Sequence, residues 1–245
     1  MFDVLLRKAR TLLRDPELAI KGKFAAGDHA RANAYLEREG VQAYLQRGRG
    51  DEIAPHPVDL ARLHALVRKK KPLAVMEFGI GFSTIVFAHA LMLNQRETGA
   101  EGHLWSVDSS QEWIDNTQEK LPDDLRPFIT LCFSTVSIAE FEGELCHLYD
   151  ELPNVVPDVL LVDGPSPADV GGDIRGLAFA TADGEGVRSP MSADVLFLES
   201  TLPDGFVMHV DGRYANMHFL RRHLKRRYRF SWNRVHRFST FRLVR

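Results

Sequence analysis

The chain has 245 residues, of which 44% are hydrophobic, and a formal net charge of −2. These values are ordinary for a globular protein and fit one α/β domain, alone or with a small helical cap. No apolar run approaches the roughly 18 residues of a membrane span, and the first residues lack the apolar core of a signal peptide. We therefore expect a cytoplasmic protein without a transmembrane segment. Its two cysteines, Cys132 and Cys146, form no metal-binding pattern.

The first 70 residues carry helical patterns and no alternating strand pattern, so they are predicted to form an N-terminal helical extension or cap. The predicted helices cover residues 1–14, 28–39 with Asp28 as N-cap, 41–46 and 57–71. The first helix is amphipathic and basic, which suits either a membrane surface or, more commonly, packing against its own domain.

From Pro72 onward, strand and helix patterns alternate, which predicts a doubly wound, Rossmann-like parallel sheet over residues 71–245. Predicted strands cover 73–78, 102–108, 128–133, 159–163, 205–211, 228–235 and 238–244, and predicted helices cover 83–95, 111–120, 191–201 and 214–227. Residues 165–189 are rich in Gly, Pro and Asp and are predicted to form a long active-site loop.

The first strand of this region ends in an acid, and two glycines and a helix start follow it. Glu77, Gly79 and Gly81 precede Ser83-Thr84, where an amphipathic helix begins. Glycines let backbone approach a ligand closely, and a helix N-terminus offers unpaired N–H groups. A dinucleotide is disfavoured, because Thr84 replaces the third glycine of the fingerprint and Glu77 would lie beside the phosphates. A ligand with a cationic end and no phosphate fits this turn better.

The acid followed by Gly-x-Gly resembles the first motif of the class I S-adenosylmethionine (SAM)-dependent methyltransferases. The resemblance implies their seven-stranded sheet with an antiparallel finish, and SAM as cofactor. It assigns the turn residues to cofactor binding: Glu77, Gly79, Gly81, Phe82, Ser83 and Thr84. The alternative is a strand-to-helix turn that needs glycine only for its geometry.

Three predicted strands end in an acid: Asp108, Asp163 and Asp211. Ligands of open α/β sheets bind beyond the carboxyl ends of the strands, so these acids should meet the glycine turn at one edge. A carboxylate can accept both ribose hydroxyls of a nucleoside, and the family resemblance implies that role for Asp108. Ser109 and Trp113 are candidates for the adenosine pocket, and the family resemblance implies contact with adenine for Ser134 and Thr135 in the loop after the third strand. Trp113 is equally compatible with a core position.

Asp163-Gly164-Pro165 resembles the fourth methyltransferase motif, with an ending found in proteins that methylate sugars or polysaccharides. Asp163, Asp211 and Arg213 are therefore the candidate catalytic residues, with Asp163 as base, metal ligand or cofactor contact. Arg213 could bind an anionic group of a substrate or pair with Asp211. Asp163 and Asp211 could also share Mg²⁺ through oxygen ligands. His209 should project from the same strand face as Asp211, although a buried, hydrogen-bonded histidine is the commoner outcome.

These features predict a SAM-dependent O-methyltransferase acting on a small-molecule or carbohydrate-like acceptor. An RNA methyltransferase is the first alternative, because residues 212–245 hold eleven Lys or Arg and no acid, whereas residues 1–211 carry a formal charge of −13. Such a segment could attract an anionic partner, or it could simply be a solvated helix face with protected edge strands. The remaining alternatives are a SAM-binding protein without methyl transfer and, least favoured, a nicotinamide-dependent dehydrogenase.

Overall fold

The computed structural model describes residues 16–47, 56–181, 188–189 and 191–245. The predicted helix over residues 1–14 lies outside these ranges, as does part of the predicted 165–189 loop. Each helix in the described ranges is too short or too polar to span a bilayer.

A seven-stranded sheet forms the centre of the molecule, in the order β3-β2-β1-β6-β8-β10-β9. Its strands are β1 (Ala74–Phe78), β2 (His103–Asp108), β3 (Ile129–Phe133), β6 (Val159–Val162), β8 (Val207–Asp211), β9 (Tyr228–Asn233) and β10 (Phe238–Leu243). The first five are parallel, and β10 runs antiparallel to both β8 and β9. The doubly wound sheet and its antiparallel finish are thus confirmed.

Helices cover both faces of the sheet, which explains why β6 is apolar and buried at every position. The helices are α1 (Pro16–Arg38), α2 (Val41–Arg47), α3 (Pro57–Lys70), α4 (Phe82–Thr98), α5 (Gln111–Lys120), α6 (Asp194–Leu198) and α7 (Tyr214–His223). Short 3₁₀ turns cover Arg126–Phe128, Pro167–Asp169 and Glu199–Thr201. The α1–α3 segment shares one apolar core with β1 and α4, including Leu36, Val67 and Phe87.

The sequence patterns missed a hairpin between the third and fourth predicted strands. It consists of β4 (Val136–Phe141) and β5 (Glu144–Tyr149), and β7 (Val170–Gly171) pairs with β4 to complete a three-stranded second sheet. Glu142 and Gly143 both have positive φ, at 50° and 83°, as a two-residue hairpin turn requires. A Glu-Gly pair is a weaker turn signal than Asn-Gly, which explains the omission.

Asp28 does not cap a helix, contrary to prediction. It lies inside α1, where its carboxylate accepts hydrogen bonds from Arg31 and His236. The predicted helix over 191–201 is also shorter, because α6 ends at Leu198 and a 3₁₀ turn continues to Thr201.

Candidate functional site

A cavity of about 390 Å³ opens at the carboxyl ends of β1, β2, β6 and β8. The glycine turn and Asp108 line one side, and Asp163, Asp211 and Arg213 line another. The predicted meeting of strand-end acids with the glycine turn is therefore present, because the parallel register brings these ends to one edge.

The two glycines of the turn have different reasons to be glycine. Gly79 has φ +100°, and a Cβ there would lie 2.8 Å from the backbone nitrogen of Gly164, so this glycine lets two loops pack backbone against backbone. A Cβ on Gly81 would meet nothing within 4 Å, although Gly81 lines the cavity. Gly81 therefore leaves open space for a ligand, whereas Gly79 holds the loop that carries Asp163.

Glu77 lies behind the turn rather than in the cavity wall. Its side chain is fully buried and accepts hydrogen bonds from the hydroxyls of Ser83, Thr84 and Ser106, the first at 2.7 Å and the last at 2.6 Å. Burial raises the pKa of Glu77 to about 7, and the three hydroxyl donors limit that rise. This network holds the first turn of α4 against β1 and β2.

Asp108 reaches the cavity with its carboxylate already oriented. The backbone N–H of Ile80 donates to Oδ2 at 2.7 Å, and that of Ser110 donates to Oδ1 at 2.8 Å. Burial raises the pKa of Asp108, and these backbone donors oppose the rise. Each carboxylate oxygen can accept a second hydrogen bond, so Asp108 can still receive ligand hydroxyls.

The other predicted cofactor residues are divided between the cavity wall and its support. Phe82, Ser83 and Trp113 line the cavity, and Trp113 is 44% exposed, which excludes the core position. Ser109 instead donates to Asp169 at 3.1 Å. Ser134 is buried and bonded to the backbone of its own and the β5 loop. The cavity lining includes neither Ser109 nor Ser134, nor Thr84 or Thr135.

Asp163 and Asp211 lie at the ends of β6 and β8, which follow β1 in the sheet order, and both line the cavity. Asp163 is accessible from the cavity, and partial desolvation there, together with the Asp211 charge, raises the pKa of Asp163 to about 7. Burial and the nearby Asp59 raise the pKa of Asp211 to about 6. Two carboxyl groups that titrate close to neutral pH are suited to proton transfer.

Arg213 binds backbone rather than the Asp211 carboxylate. Its guanidinium donates to the carbonyl oxygens of Asp163 and Pro165, the latter at 2.8 Å. Its positive charge also lowers the pKa values of Asp163 and Asp211, against the larger effect of burial. Arg213 therefore holds the loop after β6 in place while contributing to the cavity wall.

His209 also lines the cavity, as its spacing from Asp211 predicts. It is buried, and its Nδ1 lies 2.9 Å from the Thr240 hydroxyl. Burial, with a contribution from Arg62, lowers the pKa of His209 to about 3, so the ring is neutral at pH 7.

Residues of helix α3, and the residue just before it, form part of the cavity wall. The sequence analysis did not predict them as site residues. His56, Asp59, Leu60, Arg62 and Leu63 all line the cavity. Their spacing marks one face of a helix, but nothing in the sequence says that this face covers the carboxyl edge of a distant sheet. Burial raises the pKa of Asp59, which also faces the Asp163–Asp211 pair.

The donors around Asp163 and Asp211 fit a divalent cation only in part. Two neighbouring carboxylates that repel each other would gain from a cation between them. The residue after Asp211 is Gly212, which offers no side-chain oxygen, and Arg213 already places a positive charge beside both acids.

No protein-family model and no curated protein matches the sequence. Solved structures do resemble it. A protein described as a putative O-methyltransferase, from Klebsiella pneumoniae, is 14% identical, with a TM-score of 0.50 over 92% of this chain and 100% of that one. A methyltransferase from Geobacter sulfurreducens is 17% identical, with a TM-score of 0.50 over 88% and 96% of the two chains.

At these identities the likeness concerns the fold. The seven-stranded, Rossmann-like sheet of this chain is that of the methyltransferase structures it resembles, as the glycine turn and the closing strands predicted. Chemistry does not follow from a shared fold, so it has to be argued from the cavity.

Proposed function

We propose that this protein is a SAM-dependent methyltransferase that transfers a methyl group to an oxygen atom of a small-molecule or carbohydrate-like acceptor. One observation carries the proposal: a single cavity joins the open glycine turn and Asp108 on one side to Asp163 and Asp211 on the other. Its volume of about 390 Å³ lies within the range of roughly 300–1,000 Å³ typical of small-molecule sites.

The cofactor half of the cavity consists of the glycine turn and Asp108. Gly81 leaves open space above the turn, and Phe82 and Trp113 offer apolar surface. Asp108 is held by two backbone N–H groups in position to accept ribose hydroxyls. Glu77 lies outside the cavity wall and supports the turn by accepting hydrogen bonds from the hydroxyls of Ser83 and Thr84. When bound there, SAM would supply the electrophilic methyl group.

The acceptor half would remove the proton from the acceptor hydroxyl. A hydroxyl is a weak nucleophile, and a base with a pKa near the working pH is the most effective partner for it. Asp163, with a pKa raised to about 7, is the proposed base. Asp211 keeps a negative charge beside it, and Arg213 fixes the loop through the Asp163 and Pro165 carbonyls. Orientation of the acceptor toward the methyl group supplies the rest of the rate enhancement.

The shape of the acceptor side favours a small molecule over a polymer. Leu60, Leu63 and Phe238 form apolar wall around the acids, so the acceptor combines apolar surface with a hydroxyl. Part of the basic 212–245 segment is engaged within the protein: Arg222 binds Glu144, and Lys225 binds Glu142. These ion pairs favour the solvated-face interpretation over an RNA partner. RNA binding that weakens steeply with rising salt concentration would contradict the solvated-face interpretation.

Three further assignments accompany this proposal. Residues 1–70 form a helical extension or cap and residues 71–245 form the cofactor-binding domain, with α3 of the cap covering the cavity. Mg²⁺ at Asp163 and Asp211 remains a prediction. The protein is proposed to act in the cytoplasm on a soluble acceptor.

The proposal is tested by thermal unfolding with SAM or S-adenosylhomocysteine. Either ligand at millimolar concentration should raise the Tm of the wild type, and Asp108→Ala should remove the shift. Asp108→Asn, which keeps one carbonyl oxygen for Ile80 or a ribose hydroxyl, should retain a reduced shift. Asp123→Ala is the matched control, because the Asp123 side chain is 99% exposed. Absence of a shift in the wild type would contradict the proposal. A shift without turnover on a broad panel of hydroxyl acceptors would leave SAM binding without transfer as the function.

A further inference from the structure

Three histidines from distant parts of the chain meet at the rim of the cavity. His29 lies on α1, His56 precedes α3, and His236 lies in the turn between β9 and β10. One ring nitrogen of each lies within 4.8 Å of the others. The closest pair, Nε2 of His29 and Nε2 of His56, is 3.0 Å apart. This arrangement, which we call the histidine cluster, has no role in the methyl transfer proposed above.

Two of the three rings are oriented by a carboxylate on their other nitrogen. Oδ2 of Asp59 lies 3.0 Å from Nδ1 of His56, and Oδ2 of Asp28 lies 2.9 Å from Nε2 of His236. Metal-binding histidines commonly donate their second N–H to a carboxylate, which fixes the tautomer and makes the ligating nitrogen more basic. In His56 this leaves the lone pair on Nε2, the atom that faces His29.

His236 contains a polar atom whose partner is missing among the described residues. Its side chain is 2% exposed, its Nε2 is engaged by Asp28, and its Nδ1 is buried without a hydrogen bond. Leaving a buried polar atom without a hydrogen bond is unfavourable. A cation held between the rings would replace the single proton that the His29–His56 contact can share, and His236 has its Nδ1 without a partner among the described residues and so available as a ligand.

We propose that His29, His56 and His236 bind one divalent transition-metal ion of the zinc class, each through one ring nitrogen. Imidazole nitrogen suits zinc, cobalt, nickel and copper, whereas Mg²⁺ prefers oxygen. In tetrahedral zinc sites with bonds of about 2.0–2.1 Å, ligand nitrogens lie about 3.3 Å apart, so nitrogens that now lie within 4.8 Å of one another need to approach by about 1.5 Å at most. Asp28 and Asp59 supply negative charge that offsets the ion.

The location gives this ion contact with the cavity. His56 and Asp59 belong both to the histidine cluster with its carboxylates and to the cavity wall. The described residues provide three ligands, and a four-coordinate ion then has one position for water or for an acceptor oxygen. The ion would also tie α1 and α3 to the β9–β10 turn, so its binding should stabilise the packing of these elements beside the cavity.

The test is a titration of metal-free, full-length protein carrying no histidine tag. Zn²⁺ should bind one ion per chain and raise the Tm, and Co²⁺ should give the visible absorption bands of a tetrahedral site. His29→Ala and His236→Ala should each weaken Zn²⁺ binding by about 100-fold or more, and Asp28→Asn by about 10-fold or more. His218→Ala is the control, because His218 is half-buried on α7 against Tyr214, away from the histidine cluster.

Circular dichroism of each variant establishes that it is folded. If His236→Ala does not fold, Asp28→Asn tests the role of His236 instead, because Asp28 contacts the Nε2 of that ring. Failure of the wild type to bind Zn²⁺, or equal affinity in the wild type and the folded variants, would overturn the proposal. The titration needs no SAM, so a protein that binds SAM but not Zn²⁺ overturns this inference alone. A protein that binds Zn²⁺ but not SAM overturns only the proposed function.

Discussion

The carboxyl groups of Glu77, beneath the glycine turn, and of Asp163, in the cavity wall, both have a perturbed pKa, but their surroundings differ. Both pKa values are raised to about 7. Glu77 is fully buried and receives three hydroxyl hydrogen bonds. The Asp163 carboxylate faces the cavity and has no hydrogen bond from another described side chain. The comparison teaches that a raised pKa reflects desolvation and neighbouring negative charge, and that only an accessible acid is available for chemistry.

Replacing the accessible acid should have the largest effect. Asp163→Asn removes the proposed base, so turnover should fall by about 10² to 10⁴-fold, while SAM affinity changes little because Asp108 and Gly81 are untouched. Methyl transfer to a hydroxyl acceptor and a SAM titration measure the two quantities separately. Turnover within a few-fold of the wild type would remove Asp163 from the mechanism.

The contact between the two regions can be broken at Gly79. Gly79→Ala adds a Cβ at a positive φ, and this Cβ would lie 2.8 Å from the Gly164 backbone nitrogen. Because the contact is with backbone and not with a flexible side chain, it cannot be relieved by a rotamer change. We expect the free energy of unfolding to fall by about 3 kcal/mol, measured by urea denaturation.

Gly81→Ala is the matched control for this loss. Its Cβ meets open space and its backbone is extended, so the variant should be as stable as the wild type while binding SAM more weakly. Equal destabilisation by the two substitutions would contradict the distinction between them.

The pH dependence of stability sharpens the comparison further. An acid whose pKa is raised on folding destabilises the protein at pH above the folded-state value, and this cost disappears below the unfolded-state value. For Asp163 the window runs from about pH 7 down to about pH 4. Asp163→Asn should therefore raise the Tm by a few degrees at pH 8, with the gain vanishing near pH 4. Thermal melts across this range check it, and a Tm lowered at pH 8 would contradict it.

The smallest effect is expected at Glu77. In Glu77→Gln the amide oxygen can still accept from Thr84 and Ser106, and the amide nitrogen can donate to Ser83. SAM affinity should stay within about threefold if Glu77 only supports the turn. A loss of tenfold or more in calorimetric titration, about 1.4 kcal/mol, would instead assign Glu77 a direct charge interaction with the cofactor.

Local pattern was sufficient to predict the seven-stranded sheet, but not the second sheet that β4, β5 and β7 form. Apolar runs, glycine positions and the acids at strand ends predicted the parallel sheet, because each is set by residues within one element and its turn. The same reasoning placed Gly81, Asp108, Asp163 and Asp211 at one edge, since parallel strands bring their carboxyl ends together.

Only the tertiary structure decided which of these residues reach the cavity and what else lines it. Glu77 carries the same local signal as Asp108, yet it is buried behind the cavity wall, and Gly79, which lines the cavity like Gly81, also packs its backbone against Gly164. Asp59 and the histidine cluster depend on how α1, α3 and the β9–β10 turn meet. That meeting joins residues far apart in the chain, so no spacing in the sequence records it.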